Sequence, residues 1–277
     1  MRADIYLFTY GYVKSRQKAK DLILASNVKI NNVIIKKPSV EINEAENNVV
    51  EIFDNCPFVS RGGLKLQAML DVLKLDLNNK IAIDIGASTG GFTDCLISNG
   101  IKLVYAVDSG SNQLDESLKN NDKVISIENF NAKDLNLDVI NQKADVITVD
   151  VSFISQTQIM PVVAQMIKDD GIYISLIKPQ FEVGRGKIGK GGIVKEKKYR
   201  YEAVMRIFDF ASKMGFNCIE FIPSPITGGD GNIEYLAAFT KKIINVTRLN
   251  KIEKIVLEKR GQYEIKETAK NNWNYYE

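Results

Sequence analysis

Short aliphatic runs recur along this chain at intervals that leave room for a helix between them. From about residue 58 onward they fall at Ile81–Ile83, Leu103–Val107, Val124–Ile127, Val146–Val149 and Ile172–Ile177, with later candidates at Cys218–Ile222 and Tyr235–Phe239. Runs this short and this rich in β-branched residues read as strands buried on both faces. Longer amphipathic stretches separate them, such as the one from Tyr201 to Phe210. The alternation predicts an α/β domain built on a mostly parallel, seven-stranded sheet with helices on both faces. Ligands of such sheets gather at the carboxyl ends of the strands, so the residues just after each run are the ones to inspect.

The first 45 or so residues pattern differently. An apolar, helix-like stretch from Ile5 to Tyr10 turns at Gly11, and Ser15 stands as an N-cap before a helix with Ala19, Leu22 and Ile23 at core spacing. Asn31-Asn32 then separates two β-like runs, Val28–Ile30 and Val33–Ile35. The acidic, Asn-rich stretch from Glu41 to Asn48 has a linker's composition. The resulting division is a small α+β module over residues 1–48, a linker over 49–57, the α/β domain over 58–245 and a tail over 246–277. That tail is charged and helix-compatible, with Arg248, Lys251, Lys254, Lys259 and Arg260.

Composition narrows the chemistry. The chain has 277 residues, 45% of them hydrophobic and 26% charged, which is ordinary globular material. No run approaches the ~18–20 apolar residues of a membrane span, and the early acid Asp4 argues against a secretory leader. Cys56, Cys95 and Cys218 are odd in number and far apart, giving neither zinc spacing nor a disulfide framework. A reducing cytoplasm is the expected location and no metal is expected. Histidine is absent, which excludes Ser-His-Asp and Cys-His catalysis and imidazole general bases. Proton transfer falls to Lys, Asp, Glu, Tyr or Cys. Net charge is +3, yet residues 1–40 alone carry +6, from Arg2, Lys14, Arg16, Lys18, Lys20, Lys29, Lys36 and Lys37 against Asp4 and Asp21. A basic head on a near-neutral body is the footprint of a nucleic-acid module. Arg2 and one basic helix face formed by Lys14, Arg16, Lys18 and Lys20 are its expected phosphate contacts.

After the first long-domain strand comes Asp84-Ile85-Gly86-Ala87-Ser88-Thr89-Gly90-Gly91-Phe92, a glycine-rich turn that opens a helix. The second strand ends at Asp108, placed to take both hydroxyls of an adenosine ribose. Dinucleotide enzymes and S-adenosylmethionine enzymes share this arrangement. A dinucleotide fingerprint wants G-x-G-x-x-G, but Ser88 stands where its second glycine would be, and Asp84 would repel a pyrophosphate while suiting a methionine ammonium. The balance favours S-adenosylmethionine. A second glycine-rich stretch, Gly184 to Gly191, nearly fits a P-loop but lacks the terminal Ser/Thr and follows a late strand. Its Arg185, Lys187 and Lys190 read either as phosphate contacts beside the site or as a solvated surface loop.

Three more charged positions fall at strand ends or helix entries: Lys65 within Ser60-Arg61-Gly62-Gly63-Leu64-Lys65-Leu66, Asp150 after the fourth strand, and Lys178 after the fifth. A lysine ending a buried apolar strand is costly to desolvate unless a partner or a task holds it. Methylating a hydroxyl requires help with its proton and in-line placement against the methyl. The motifs of nitrogen and carbon methylation are missing, whereas a lysine pair with a carboxylate suits oxygen chemistry.

The series Ser60–Leu66, Asp84–Thr93, Asp150–Ser155, Leu176–Glu182, Ser224–Ile226 and Gly231–Tyr235 resembles the TlyA family, the haemolysin A-type ribosomal RNA 2′-O-methyltransferases. The first segment, Arg2-Ala3-Asp4 with Ser15–Ala19 and Val28–Asn31, is similar to the small RNA-binding domain first seen in a ribosomal protein, the S4 type. The resemblance implies a Rossmann-like, FtsJ-type domain and a Lys-Asp-Lys-Glu catalytic set at Lys65, Asp150, Lys178 and Glu234, the last supplied by the resemblance alone. It implies transfer to a cytidine ribose of ribosomal RNA within ribosomal subunits, with Arg61 among the RNA contacts. Lys178 is expected to carry a pKa lowered by burial and by Lys65. Around Gly110 the sequence departs from the family, which commonly has Val and Tyr there. Two other readings follow, a membrane-lysing haemolysin and an RNA-binding module with an inactive methyltransferase domain.

Overall fold

The structure is a computed structural model describing residues 1–257 apart from 14, 25, 54–55, 229–230 and 243–248. The N-terminal unit packs two helices, α1 (Ala3–Thr9) and α2 (Arg16–Leu24), against a three-stranded antiparallel sheet of β1 (Val28–Ile30), β2 (Val33–Ile34) and β3 (Val50–Ile52). Ser15 Oγ accepts the Lys18 N–H at 3.1 Å, the cap its position announced. Ala3, Leu7, Ala19, Ile23 and Val28 are wholly buried between the layers.

The segment expected as a linker over 49–57 begins instead as β3. Val50 and Ile52 alternate with Glu51 and pair with Ile30 and Val28, so β1 lies in the middle of its sheet. Three residues gave too short a period to be recognised, and their partner lies twenty residues back. The acidic 41–48 stretch is likewise tied down: Asn31 and Asn48 bond side chain to side chain at 2.9 Å.

The larger unit is a seven-stranded sheet. In chain order its elements are α3 (Gly62–Leu73), β4 (Ile81–Ile85), α4 (Gly91–Ser98), β5 (Leu103–Val107), α5 (Glu116–Lys119), β6 (Val124–Ile127), β7 (Ala144–Val149), α6 (Met160–Met166), β8 (Ile167–Ile177), α7 (Pro179–Glu182), α8 (Lys197–Lys213), β9 (Asn217–Pro223), β10 (Tyr235–Thr240) and α9 (Leu249–Leu257). The strand order is β6-β5-β4-β7-β8-β10-β9. β4 to β8 are parallel, and β10 runs antiparallel between β8 and β9. Every strand expected from the aliphatic runs is present.

Alternate residues feed two cores, as burial on both faces requires. Ala82, Val104, Val146 and Leu176 meet Leu66, Met69, Phe92 and Leu96 of α3 and α4 on one side. Ile83, Val107, Ile147 and Tyr173 meet Met160 and Val163 of α6 and Val204 and Ile207 of α8 on the other. The expected tail starts too early. α9 buries Ile252 and Val256 in this second core, because they lie four apart on one face of a helix set against α8. Arg248, Lys259 and Arg260 lie outside the described residues.

Candidate active site

Register brings the site together. Ile85 pairs with Val149 and Tyr235 with Ile177, so Gly86, Asp150, Lys178 and Glu234 each sit one residue beyond the sheet on a shared edge. Because β10 is antiparallel, that edge receives its beginning, where the parallel strands contribute their ends.

The glycine-rich turn follows β4 with positive φ at Gly86 (82°), Ser88 (49°) and Gly90 (95°). Gly86 has no alternative: a Cβ there would stand 2.4 Å from the Asp150 carbonyl oxygen. Asp108 clamps the turn from the side. Its Oδ2 accepts the Ser88 N–H at 2.8 Å and its Oδ1 the Gly110 N–H at 2.7 Å. Glu128 in turn accepts the N–H groups of Asn112, Gln113 and Leu114, which fixes the loop after β5 although its sequence departs from the resembled pattern. Thr89, Gly91, Phe92 and Ala87 complete the turn and the start of α4, whose N-terminal N–H groups open toward it.

Asp84 has a different task from the one expected. It is 0% exposed, and its two oxygens accept the hydroxyls of Thr93 and Thr148, each at 2.7 Å. Burial pushes its carboxyl up to about 6, against the restraint of those two bonds. It joins β4 to α4 and β7 from inside and is closed to a direct contact with a donor's ammonium. Thr148, a buried polar residue set among the aliphatic Val146, Ile147 and Val149 of β7, is the signal in the sequence.

Beside this turn stand two ion pairs. Lys178 Nζ lies 2.5 Å from Asp150 Oδ1 and donates to Ser152 Oγ at 2.9 Å. Lys65 Nζ donates to Glu234 Oε2 at 2.6 Å, with side chains only 10% and 3% exposed. Burial alone would lower the Lys178 pKa, but the Asp150 and Glu234 carboxylates outweigh it and hold it raised. That reverses the lowering expected from the sequence, in which burial and the like charge of Lys65 are legible and the effect of the two acids is not. Burial likewise pulls Asp150 up, and Lys178 and Lys65 overcome it, so its carboxyl stays below its ordinary value. Lys178 and Asp150 therefore stand as an ammonium and a carboxylate at neutral pH. Phe153 adds an aromatic side chain that sequence reading left unassigned. It is 92% exposed with φ +64°, and its ring centroid lies 5.0 Å from that of Phe181, itself 6.0 Å from Lys178 Nζ.

Residues 58–241 match the FtsJ-like methyltransferase family and residues 1–47 the S4 domain. The chain belongs to the FtsJ-like methyltransferase family. It is similar to Hemolysin A of Brachyspira hyodysenteriae, 44% identical over 86% of this chain and 99% of that one. It is also similar to the Mycobacterium tuberculosis protein named 16S/23S rRNA (cytidine-2′-O)-methyltransferase TlyA, at 35% identity over 84% and 87% of the two chains. A solved structure from Streptococcus thermophilus, named for hemolysin, superposes with a TM-score of 0.74 at 38% identity, covering 93% of this chain and 94% of its own. Among the described residues no helix is long and apolar enough to cross a membrane.

The basic positions of the S4 domain are less uniform than expected. Arg2 and Arg16 both clasp the buried Asp4, at 2.9 and 2.7 Å, so part of their charge is neutralised within the domain. At about 100° per residue, Arg16 and Lys20 share a face of α2 while Lys18 points nearly opposite. The single face of four cations is therefore corrected, and Lys14 lies outside the described residues. In the FtsJ-like domain Arg61 Nη2 donates to the Thr227 carbonyl at 3.1 Å, bracing the segment before Glu234. Arg185 and Lys190 stand exposed on the glycine-rich loop, and Lys187 pairs with Glu202.

Proposed function

We propose that this protein transfers a methyl group from S-adenosylmethionine to the 2′-hydroxyl of a cytidine ribose in ribosomal RNA within ribosomal subunits, in the cytoplasm. The reading rests on one observation above all: the Lys178–Asp150 and Lys65–Glu234 pairs stand side by side at the mouth of the glycine-rich turn. The similarity to a protein named as an rRNA (cytidine-2′-O)-methyltransferase supports the substrate.

The residues present fit the donor. Gly86 lets the turn pass directly against the Asp150 carbonyl, where a Cβ would stand 2.4 Å away, and Asp150 Oδ1 is buried with no hydrogen-bond partner of good geometry despite its ion pair. Gly86, Ala87, Ser88, Thr89, Gly90, Gly91 and Phe92 would hold the methionine side, and Asp108, with lone pairs to spare, the ribose hydroxyls. When bound, the donor supplies an electrophilic methyl on a sulfonium.

The chain's own residues do the rest. Lys178 enters the reaction protonated, so it serves as a hydrogen-bond donor to the 2′-oxygen and stabilises the negative charge that builds there as the hydroxyl proton leaves for solvent. Asp150 and Ser152 fix that ammonium in place, and Glu234 fixes Lys65 beside it. Phe153 and Phe181 offer an aromatic shelf on which an unstacked target base can rest next to Lys178. Arg16 and Lys20 of the S4 domain, with Arg185 and Lys190, supply phosphate contacts that position the RNA.

Mass spectrometry of ribosomal RNA from cells with and without the gene tests the proposal. At least one 2′-O-methylcytidine, in small- or large-subunit RNA or both, should disappear and return with the wild-type gene but not with Lys178→Ala. An unchanged modification map, or full rescue by Lys178→Ala, would overturn it.

A further inference from the structure

We propose that Asn232 is a positioning residue that couples the glycine-rich basic loop, residues 184–192, to the Lys65–Glu234 pair, so that RNA phosphate held by the loop tightens the catalytic set. The inference deepens the function proposed above and rests on it.

Asn232 is 1% exposed although it is polar and lies in a connection between strands. Its side chain and its main chain serve different masters. The side-chain amide donates to the Gly192 carbonyl at 3.0 Å and accepts the Val194 N–H at 3.0 Å, gripping the loop at its exit. The main-chain carbonyl accepts the Gly228 N–H at 2.9 Å. Gly228 backs directly onto the Glu234 carboxylate, where a Cβ would stand 2.4 Å from Oε1. Glu234 then holds Lys65 at 2.6 Å. Four links thus run from the loop to a catalytic ammonium.

The loop is fastened at both ends, and between them Lys187 ties it to Glu202 of α8. At its entrance the buried Glu182 accepts Ser155 Oγ at 2.6 Å and the Gln156 N–H at 2.8 Å, just past Asp150 and Ser152. At its exit Arg200 joins Asn232 by donating to the carbonyls of Val194 and Lys195. Between these anchors, a Cβ built at Gly184 or Gly186 would meet nothing within 4 Å. Packing within the chain therefore does not call for glycine there; close approach by a phosphate backbone does. Arg185 and Lys190 flank that space. One end of the loop leads to the Asp150–Lys178 half of the site and the other, through Asn232, to the Glu234–Lys65 half.

The test is a double-mutant cycle on the full-length protein with purified ribosomal subunits as substrate. Arg185→Ala/Lys190→Ala, with RNA phosphate contacts removed, is expected to lower both RNA affinity and kcat. Asn232→Ala is expected to lower kcat by on the order of 10–100-fold, the cost of a misplaced site, with RNA affinity and donor affinity by calorimetry unchanged. Combined, the loop substitutions should no longer lower kcat further, because the link is already cut. Asn232→Asp, which keeps the acceptor for the Val194 N–H, should recover part of kcat. Additive effects on kcat, or a parallel fall of kcat, donor affinity and melting temperature in both Asn232 variants, would overturn the coupling. Wild-type protein that transfers no methyl to any subunit would instead take down the proposed function and the coupling together.

Discussion

Replacing Lys65 by Met separates what the Lys65–Glu234 pair does for the fold from what it does for the reaction. The two side chains meet at 2.6 Å with 10% and 3% of their surface exposed, and Gly228 closes over the carboxylate from behind. Taking away the ammonium leaves a buried carboxylate without its counter-ion, a change that costs about 3–5 kcal/mol in such sites. For a domain of this size 1 kcal/mol moves the melting temperature by roughly 2–4 °C. The single variant should therefore melt roughly 6–20 °C below wild type at pH 7. Adding Glu234→Leu removes the second charge along with the first. A buried pair replaced by apolar groups of similar volume is often neutral or stabilising, so the double variant should melt close to wild type and still transfer no methyl. Scanning calorimetry at pH 7 with a methyl-transfer assay reads both outcomes. If the single and double variants melt together at pH 7, the pair is not held as described.

Three further outcomes follow from other parts of the site. Asp84→Asn should be at least as stable as wild type above pH 6 and lose that advantage by pH 4. A carboxyl raised to about 6 binds its proton more tightly folded than unfolded, so wild-type stability falls as pH rises through that window; equal urea midpoints at both pH values would refute this. Phe153→Ala should leave melting unchanged, since the ring is 92% exposed, and lower kcat/KM for RNA by about 5–150-fold, the worth of 1–3 kcal/mol of base stacking. A full loss of donor binding in that variant would show the ring serves the donor instead. Gly86→Ala puts a methyl 2.4 Å from the Asp150 carbonyl at a φ of 82°, so donor affinity by calorimetry should collapse with the strained turn, and undiminished affinity would contradict the geometry.

The legible parts of the molecule were those encoded locally. Aliphatic runs of three to six residues announce the sheet, and the residue after a run locates Asp150 and Lys178, because strand ends and ligand edges coincide in parallel sheets. Glu234 carried no such mark. It precedes an antiparallel strand, and its partner Lys65 lies 169 residues away, so nothing near it in sequence distinguished it from a surface acid until the resemblance supplied it. The direction of the Lys178 shift was missed for the same reason: burial is visible in an apolar run, but the two carboxylates that outweigh it arrive through tertiary pairing. Asp84 shows the converse. It is expected just past the first strand but lies within β4, and its partners Thr93 and Thr148, from two other elements, make it an internal tie.

The antiparallel β10 also dictates the order in which this enzyme can come into being. It is wedged between β8 and β9, so β9, made earlier, has no neighbour in the sheet until β10 has been synthesised and inserted. Until that moment the Lys65 ammonium faces a gap where its carboxylate belongs. A chain broken off anywhere before Glu234 is therefore not a weakened methyltransferase but one with an open sheet edge and a stranded cation.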